Sequence, residues 1–217
     1  MNKNSVIDAV LFDFGGVIAE EGFMKGLRAM AQKSKYTSDE FVRLGNEIIH
    51  SCGYVAGMTT EDLYWDLIRE ETGIRGSNEE LRNEILSRFI LRPWVIGIVD
   101  ELRSREIVTG ILSDQTNWLD ELEERHHFFS HFHFIFNSYY LGISKRERKI
   151  FKKVADSIGT ALNRIIFIDD QEENCRRAGL EGIHTLLYVS KEKLIKDLKE
   201  YFPELCGNRS LLRDEEN

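Results

Sequence analysis

Asp13 follows directly on a short apolar run, in Leu11-Phe12-Asp13-Phe14-Gly15-Gly16-Val17. A carboxylate at the end of a buried strand, with two glycines behind it, stands at an edge where backbone folds tightly around a reacting group. A second run, Ile165-Ile166-Phe167-Ile168, ends in the adjacent acids Asp169 and Asp170. Neighbouring strands would bring Asp13 and this pair together, and converging carboxylates repel one another unless a hard cation such as Mg²⁺ joins them. Ser113 ends a third run, in Gly110-Ile111-Leu112-Ser113-Asp114, where a hydroxyl and the N–H groups of the following turn can hold phosphate oxygens. Lys145, in Gly142-Ile143-Ser144-Lys145-Arg146-Glu147, can offset the charge of phosphate and carboxylates. Taken singly, each has a plainer reading. Asp13 can simply begin a turn, Ser113 can cap a helix, and Lys145 can belong to a solvated basic face with Arg146, Arg148 and Lys149.

Buried parallel strands are the elements that would align these residues. Apolar runs rich in β-branched and aromatic residues lie at 10–12, 107–112, 134–136, 165–168 and 185–189. Each is short and nearly continuous, as expected of strands covered on both faces. Helix-like segments at 94–105, 118–129, 147–158 and around 173–180 separate them, which predicts an α/β doubly wound, Rossmann-like parallel sheet. Residues 20–92 differ. Thr37-Ser38-Asp39-Glu40, Thr59-x-x-Asp62 and Ser77-x-x-Glu80 each set a hydroxyl and an acid ahead of periodic apolar residues, the mark of helix starts. The expected organisation is an α/β core of 1–19 and 93–206, a helical insert of 20–92 above the sheet's carboxyl edge, and a polar tail of 207–217.

Composition bounds the partners. The chain has 217 residues, 42% hydrophobic and 30% charged, with 29 Lys plus Arg against 37 Asp plus Glu, a net charge of −8. That balance argues against nucleic acid and anionic membrane surfaces, which select for clustered positive charge. No apolar stretch approaches the roughly 20 residues of a membrane span. Asp8 and Asp13 interrupt the first apolar run, which is not expected to be a signal peptide. Cys52, Cys175 and Cys206 are odd in number and widely spaced, as for free thiols in a reducing, cytoplasmic setting. His126, His127, His131 and His133 match no standard zinc spacing and read as packing or surface groups. Tyr64, Trp65 and Phe23 either line a pocket in the insert or belong to its core.

The four chemical features fall in one order along the chain, each at a strand end or before a helix. In that order the sequence resembles, over essentially its full length, the haloacid dehalogenase-like (HAD) superfamily of aspartate-nucleophile hydrolases. Asp13-Phe14-Gly15-Gly16-Val17 matches the first motif, a strand then DxDG[TV], and Ile111-Leu112-Ser113 matches the second. Gly142 to Lys145 with Ile150-Phe151 matches the third, GxxKPxxxIF. Phe167-Ile168-Asp169-Asp170 with Asn174, Ala178 and Gly182 matches the fourth, FIDDxxxNxxxAxxxG. The resemblance implies that Asp13 is a nucleophile forming an aspartyl-phosphate. It implies that Ser113, Asp114 and Lys145 hold the substrate, and that Asp13, the Gly15 carbonyl, Asp169 and Asp170 surround Mg²⁺. It also makes the helical insert a cap. The implied activity is hydrolysis of a small phosphorylated metabolite by a monomer or homodimer. A 2-haloacid dehalogenase and a catalytically silent binding protein are the alternatives. Three positions depart from the pattern: Gly15 replaces an acid that serves general acid–base catalysis, Asp114 replaces Asn, and Arg146 replaces Pro. A branch resembling sugar-phosphate phosphatases carries D-x-G-x-V and shares the glycine.

Overall fold

The computed structural model describes residues 6–205, so the tail of 207–217 and Cys206 lie outside the described residues. Five strands, β1 (Ala9–Phe12), β2 (Val108–Ser113), β3 (Phe134–Asn137), β4 (Ile165–Asp169) and β5 (His184–Leu187), form one parallel sheet of order β3-β2-β1-β4-β5. The central strands β1 and β4 are buried along their whole length, which is why their sequences are apolar without alternation. One face of the sheet is covered by α5 (Pro93–Ser104), α6 (Trp118–His126) and α10 (Lys191–Lys199). The other is covered by α8 (Lys149–Ile158) and α9 (Glu172–Leu180). The expected α/β doubly wound core is therefore observed. The register pairs Phe12 with Ile111 on one side and with Ile168 on the other. Asp13, Ser113 and Asp169 thus emerge at one carboxyl edge, beside the β1–β4 crevice where the strand order reverses.

Four helices stand between β1 and α5: α1 (Gly22–Ala31), α2 (Ser38–Ser51), α3 (Glu61–Thr72) and α4 (Asn78–Leu86). Thr37 with Glu40 and Ser77 with Glu80 form reciprocal capping boxes, as their spacing predicts. The third start falls one residue later than expected, because Thr60, not Thr59, accepts the N–H of Leu63. Helix α1 lacks a hydroxyl cap and carries no such signal; Glu21 caps it by accepting the N–H of Met24 at 2.7 Å. The helix expected over 118–129 stops at His126, where His127 turns into the left-handed region at φ 53°. The short α7 (Ser138–Leu141) and α10 fall outside the expected elements.

The chain leaves and re-enters the core side by side. Ala19 and Leu91 form an antiparallel bridge, with Glu20 N–H donating to Ile90 O and Arg92 N–H to Ile18 O, both at 2.8 Å. The Arg92 guanidinium ties this neck together by donating to Val17 O at 2.8 Å and Ala19 O at 3.2 Å. Further on, the Ser138 hydroxyl donates to Val55 O at 2.7 Å, and Tyr54 donates to Asn117 Oδ1 at 2.7 Å. Trp65 stacks on Trp118 with ring centroids 5.7 Å apart, and Tyr54 and Tyr64 pack edge-on to the same indole. Tyr64 and Trp65 are therefore core residues at the joint between helices and sheet, whereas Phe23 faces the cavity described below.

Because Trp65 is completely buried at this joint, Trp65→Ala removes packing that little else can fill. It should cost about 3–5 kcal/mol of stability, read from urea unfolding by far-UV circular dichroism. A loss under about 1 kcal/mol would mean that the aromatic stack does not hold the helices to the sheet.

Candidate active site

Asp13 is held from three sides. Its Oδ1 accepts the N–H of Phe14 at 2.7 Å and the Ser113 hydroxyl at 2.5 Å. Its Oδ2 lies 2.6 Å from Lys145 Nζ. The same ammonium reaches Asp169 Oδ2 at 2.7 Å. Lys145 is only 2% exposed and Asp169 is fully buried, so the plainer reading of Lys145 as part of a solvated basic face does not hold. Nor does the loss of proline after it leave Lys145 loose: Asp114 Oδ1 accepts the backbone N–H of Lys145 at 2.9 Å. Asp114, expected beside the substrate, also lines the cavity, and its fixed contact is with the lysine's own backbone.

The two adjacent acids separate in role. Asp169 accepts the Gln171 N–H at 2.7 Å and the Asn174 amide at 3.1 and 3.2 Å in addition to Lys145. Its oxygens are filled. Asp170 accepts the Gln171 side-chain amide at 3.1 Å, its one side-chain partner among the described residues, and points to where the chain turns at Gly16. Gly16 has φ +84°, and a Cβ there would lie 2.3 Å from Asp170 Oδ2, so only glycine lets the two segments approach. One oxygen each of Asp13, Asp169 and Asp170 fall within 4.8 Å of one another. Lys145 answers one of these three charges. The two left over suit a hard divalent cation with oxygen ligands.

The surrounding cavity has a volume of about 350 Å³ and is shared between sheet edge and helices. Asp13, Gly15, Ser113, Asp114, Lys145 and Asp170 line it from the core, while α1 and α2 contribute Phe23, Met24, Val42 and Ile49. Gly15 faces the cavity. A Cβ on it would sit 3.3 Å from the Phe89 ring and 3.6 Å from the Gln115 amide nitrogen. Gln115, beyond the end of β2, also lines the cavity and carried no sequence signal, since only the fold brings it beside Gly15. Among the described residues, the histidines form no metal cluster with acids or cysteines. His133 accepts the Thr109 N–H, and His131 pairs with Asp100.

Burial raises the Asp13 carboxyl well above the ordinary aspartate range, against the pull of Lys145 and with the help of Asp169. Burial raises Asp114 as well, and burial together with Asp169 raises Asp170. For Lys145, burial favours the neutral form, but Asp13, Asp169 and Asp114 outweigh it and hold the ammonium charged. Glu21 at the cavity wall is raised by burial, whereas Glu20 outside it is lowered by its pairing with Lys25.

Carboxyls raised in the folded state stabilise it below their unfolded pKa and lose that contribution as pH rises through the folded value. Metal-free protein should therefore resist urea better at pH 5.5 than at pH 7.5. Lys145→Met strands two buried carboxylates, so it should cost about 3–5 kcal/mol at pH 7.5 and steepen the dependence. A variant equally stable at both pH values would show that Lys145 does not neutralise the acids.

Comparison with known proteins follows the same lines. The family model for haloacid dehalogenase-like hydrolases matches residues 7–177. Bifunctional epoxide hydrolase 2 of Rattus norvegicus is 24% identical over 193 residues, 84% of this chain and 32% of that protein, so the chain spans about a third of its length. HAD family enzyme BT-2542 of Bacteroides thetaiotaomicron superposes with a TM-score of 0.73 at 23% identity, over 91% of this chain and 99% of that one. The same enzyme in complex with magnesium and inorganic phosphate gives 0.67 at 22% identity, over 85% and 96%. L-2-haloacid dehalogenase of Xanthobacter autotrophicus, with chloropropionic acid covalently bound, gives 0.62 at 15% identity, over 89% and 82%. These structures share the fold. With most of its length matched by the family model, the chain belongs to the haloacid dehalogenase-like hydrolases.

Proposed function

We propose that the protein is a Mg²⁺-dependent phosphatase of small phosphomonoesters, sugar phosphates among them, acting through an aspartyl-phosphate on Asp13. The observation that carries this reading is the split between the paired acids. Lys145 bonds to both Asp13 and Asp169, while Asp170 stands in the same cluster with no ion-paired cation among the described residues. Asp13, Asp170 and the Gly15 carbonyl would hold the ion, with Asp169 positioning Lys145. When bound, Mg²⁺ neutralises the phosphate and carboxylate charges that would otherwise repel one another. The magnesium and phosphate complex of BT-2542 supports the reading by analogy of fold. A metal-free dehalogenase would share the nucleophile but leaves Asp170 without a task.

In the proposed first step, an Asp13 oxygen forms a bond to phosphorus as the bond to the ester oxygen breaks. Ser113 and Lys145, already within hydrogen-bond reach of Asp13, hold the phosphoryl oxygens. The alkoxide leaves as the alcohol after taking a proton from water. A water oxygen then bonds to phosphorus as the bond to Asp13 breaks, which restores the carboxylate and releases inorganic phosphate. Residues 20–92 act as the cap, supplying the apolar wall that selects the alcohol. A cavity near the small end of ligand sites suits a compact metabolite. Cys52 and Cys175 are free thiols, and burial pushes Cys175 up to about 12, which fits a reducing, cytoplasmic setting. No helix of the described residues is long and apolar enough to cross a membrane.

Asp13→Asn should abolish hydrolysis of p-nitrophenyl phosphate while urea unfolding stays cooperative, and EDTA should stop the wild type until Mg²⁺ is returned. Full activity in EDTA, or a tenth of the activity in the variant, would overturn the reading. Gly15 donates no proton, so rates should fall as leaving groups become more basic. Gly15→Asp needs Phe89 to give by a few tenths of an ångström, not a forbidden backbone. It should raise kcat for alkyl phosphates by up to about 10²-fold and leave aryl phosphates nearly unchanged. Equal gains on both would mean that another group already serves as the acid.

A further inference from the structure

A second group of charged residues lines the cavity without any part in the chemistry above. Arg146 precedes α8, Arg177 lies on α9, and His50 sits near the end of α2, yet all three face the same space. The Arg146 guanidinium has no hydrogen-bonded or ion-paired partner among the described residues. Arg177 donates to Asn174 Oδ1 at 3.2 Å and shares Glu173, at 3.1 Å, with Arg176, which engages that carboxylate through two bonds of 2.7 Å. Two acids attract Arg146 without bonding to it: Asp114, which holds the Lys145 N–H, and Glu47, which pairs with Arg43 at 3.3 Å.

The two guanidiniums and the histidine are near enough to oppose one another's charge. Burial first, then Arg146 and Arg177, depress His50 to about 4, and Arg177 acts against the charge of Arg146 as well. Like charges gathered at a cavity wall are relieved by an anion placed among them. The planar forks of arginine match the paired oxygens of carboxylate or phosphate. This is not the reacting end: Lys145 contacts Asp13 and Asp169, whereas among the described residues neither arginine nor His50 bonds to Asp13, Asp169 or Asp170. Val42 and Ile49 give the same cavity an apolar wall on which a short carbon skeleton can rest.

We infer that Arg146, Arg177 and His50 form a subsite for a second anionic group, a carboxylate or second phosphate, carried by the substrate away from its scissile ester. This deepens the phosphatase reading and rests on it. The arginine that replaces the motif's proline thus serves recognition.

Binding tests it without turnover. In the Asp13→Asn background with Mg²⁺, calorimetry compares 2-phosphoglycolate with 2-hydroxyethyl phosphate, and 1,3-propanediol bisphosphate with its monophosphate. At least one anionic member should bind about tenfold or more tightly than its neutral partner, and the two arms distinguish carboxylate from phosphate. Arg146→Gln, at an exposed position, and Arg177→Gln should each cut that ratio by about tenfold. Equal binding within each pair, or an equal loss for both members in the variants, would overturn the subsite. Hydrolysis separates it from the larger reading. If wild type cleaves p-nitrophenyl phosphate but the pairs bind equally, the subsite falls alone. If no ester is cleaved and the pairs still differ, the subsite stands and the phosphatase reading falls.

Discussion

One buried ammonium between two buried carboxylates governs the structure around it. Removing three charges from water is costly, and their mutual attraction offsets this only when every remaining hydrogen-bonding position is filled. Here the filling is nearly complete. Ser113 and the Phe14 N–H take one side of Asp13, the Gln171 N–H and Asn174 take Asp169, and Asp114 fixes the backbone of Lys145. These groups come from the ends of β1, β2 and β4, the turns beyond them and the first turn of α9. The parallel register that aligns Phe12 with both Ile111 and Ile168 is what brings them within bonding distance. Asp170 is left over from this satisfied network, and the left-over charge is what makes the site a candidate for a cation.

The cavity belongs to neither half of the molecule. Its floor is the sheet edge and its walls are α1 and α2, joined to the core by the bridge at Ala19 and Leu91 and by the Trp65–Trp118 stack. Asp13 and Ser113 sit at strand ends held by the core and its hydrogen bonds, whereas Phe23 and Ile49 reach the cavity from helices of the insert. The helix side chains can therefore differ without moving those at the strand ends. The fold hosts different chemistries for the same reason, as its likeness to both a phosphate-bound enzyme and a haloacid dehalogenase illustrates.

Charge within the cavity is uneven. Asp13, Asp114 and Asp170 line it along the sheet edge, while Arg43, Arg146 and Arg177 line it with Glu173 among them. Like charges at close quarters oppose stability, and such groups collect at sites that receive ligands. His50 is held neutral first by its burial and then by the charges of Arg146 and Arg177.

Much of this was legible in the residues themselves. Buried parallel strands must be short and apolar, so β1 to β5 stand out, and a carboxylate or hydroxyl directly after such a run can only emerge at the strand's carboxyl end. Capping boxes are local, so Thr37 and Ser77 mark their helices. Helix α1 could not be read because its cap is a glutamate, and Thr59 displaced Thr60 because two adjacent hydroxyls satisfy the same pattern. The tertiary structure alone decided the rest. It buried Lys145, separated Asp169 from Asp170, turned Asp114 onto the backbone of Lys145, and moved Tyr64 and Trp65 out of the cavity and into the joint. Sequence shows which groups a chain carries to an edge. Which groups then touch depends on register between strands about 100 and 156 positions apart and on which side chains water can still reach, and neither is a property of any local stretch.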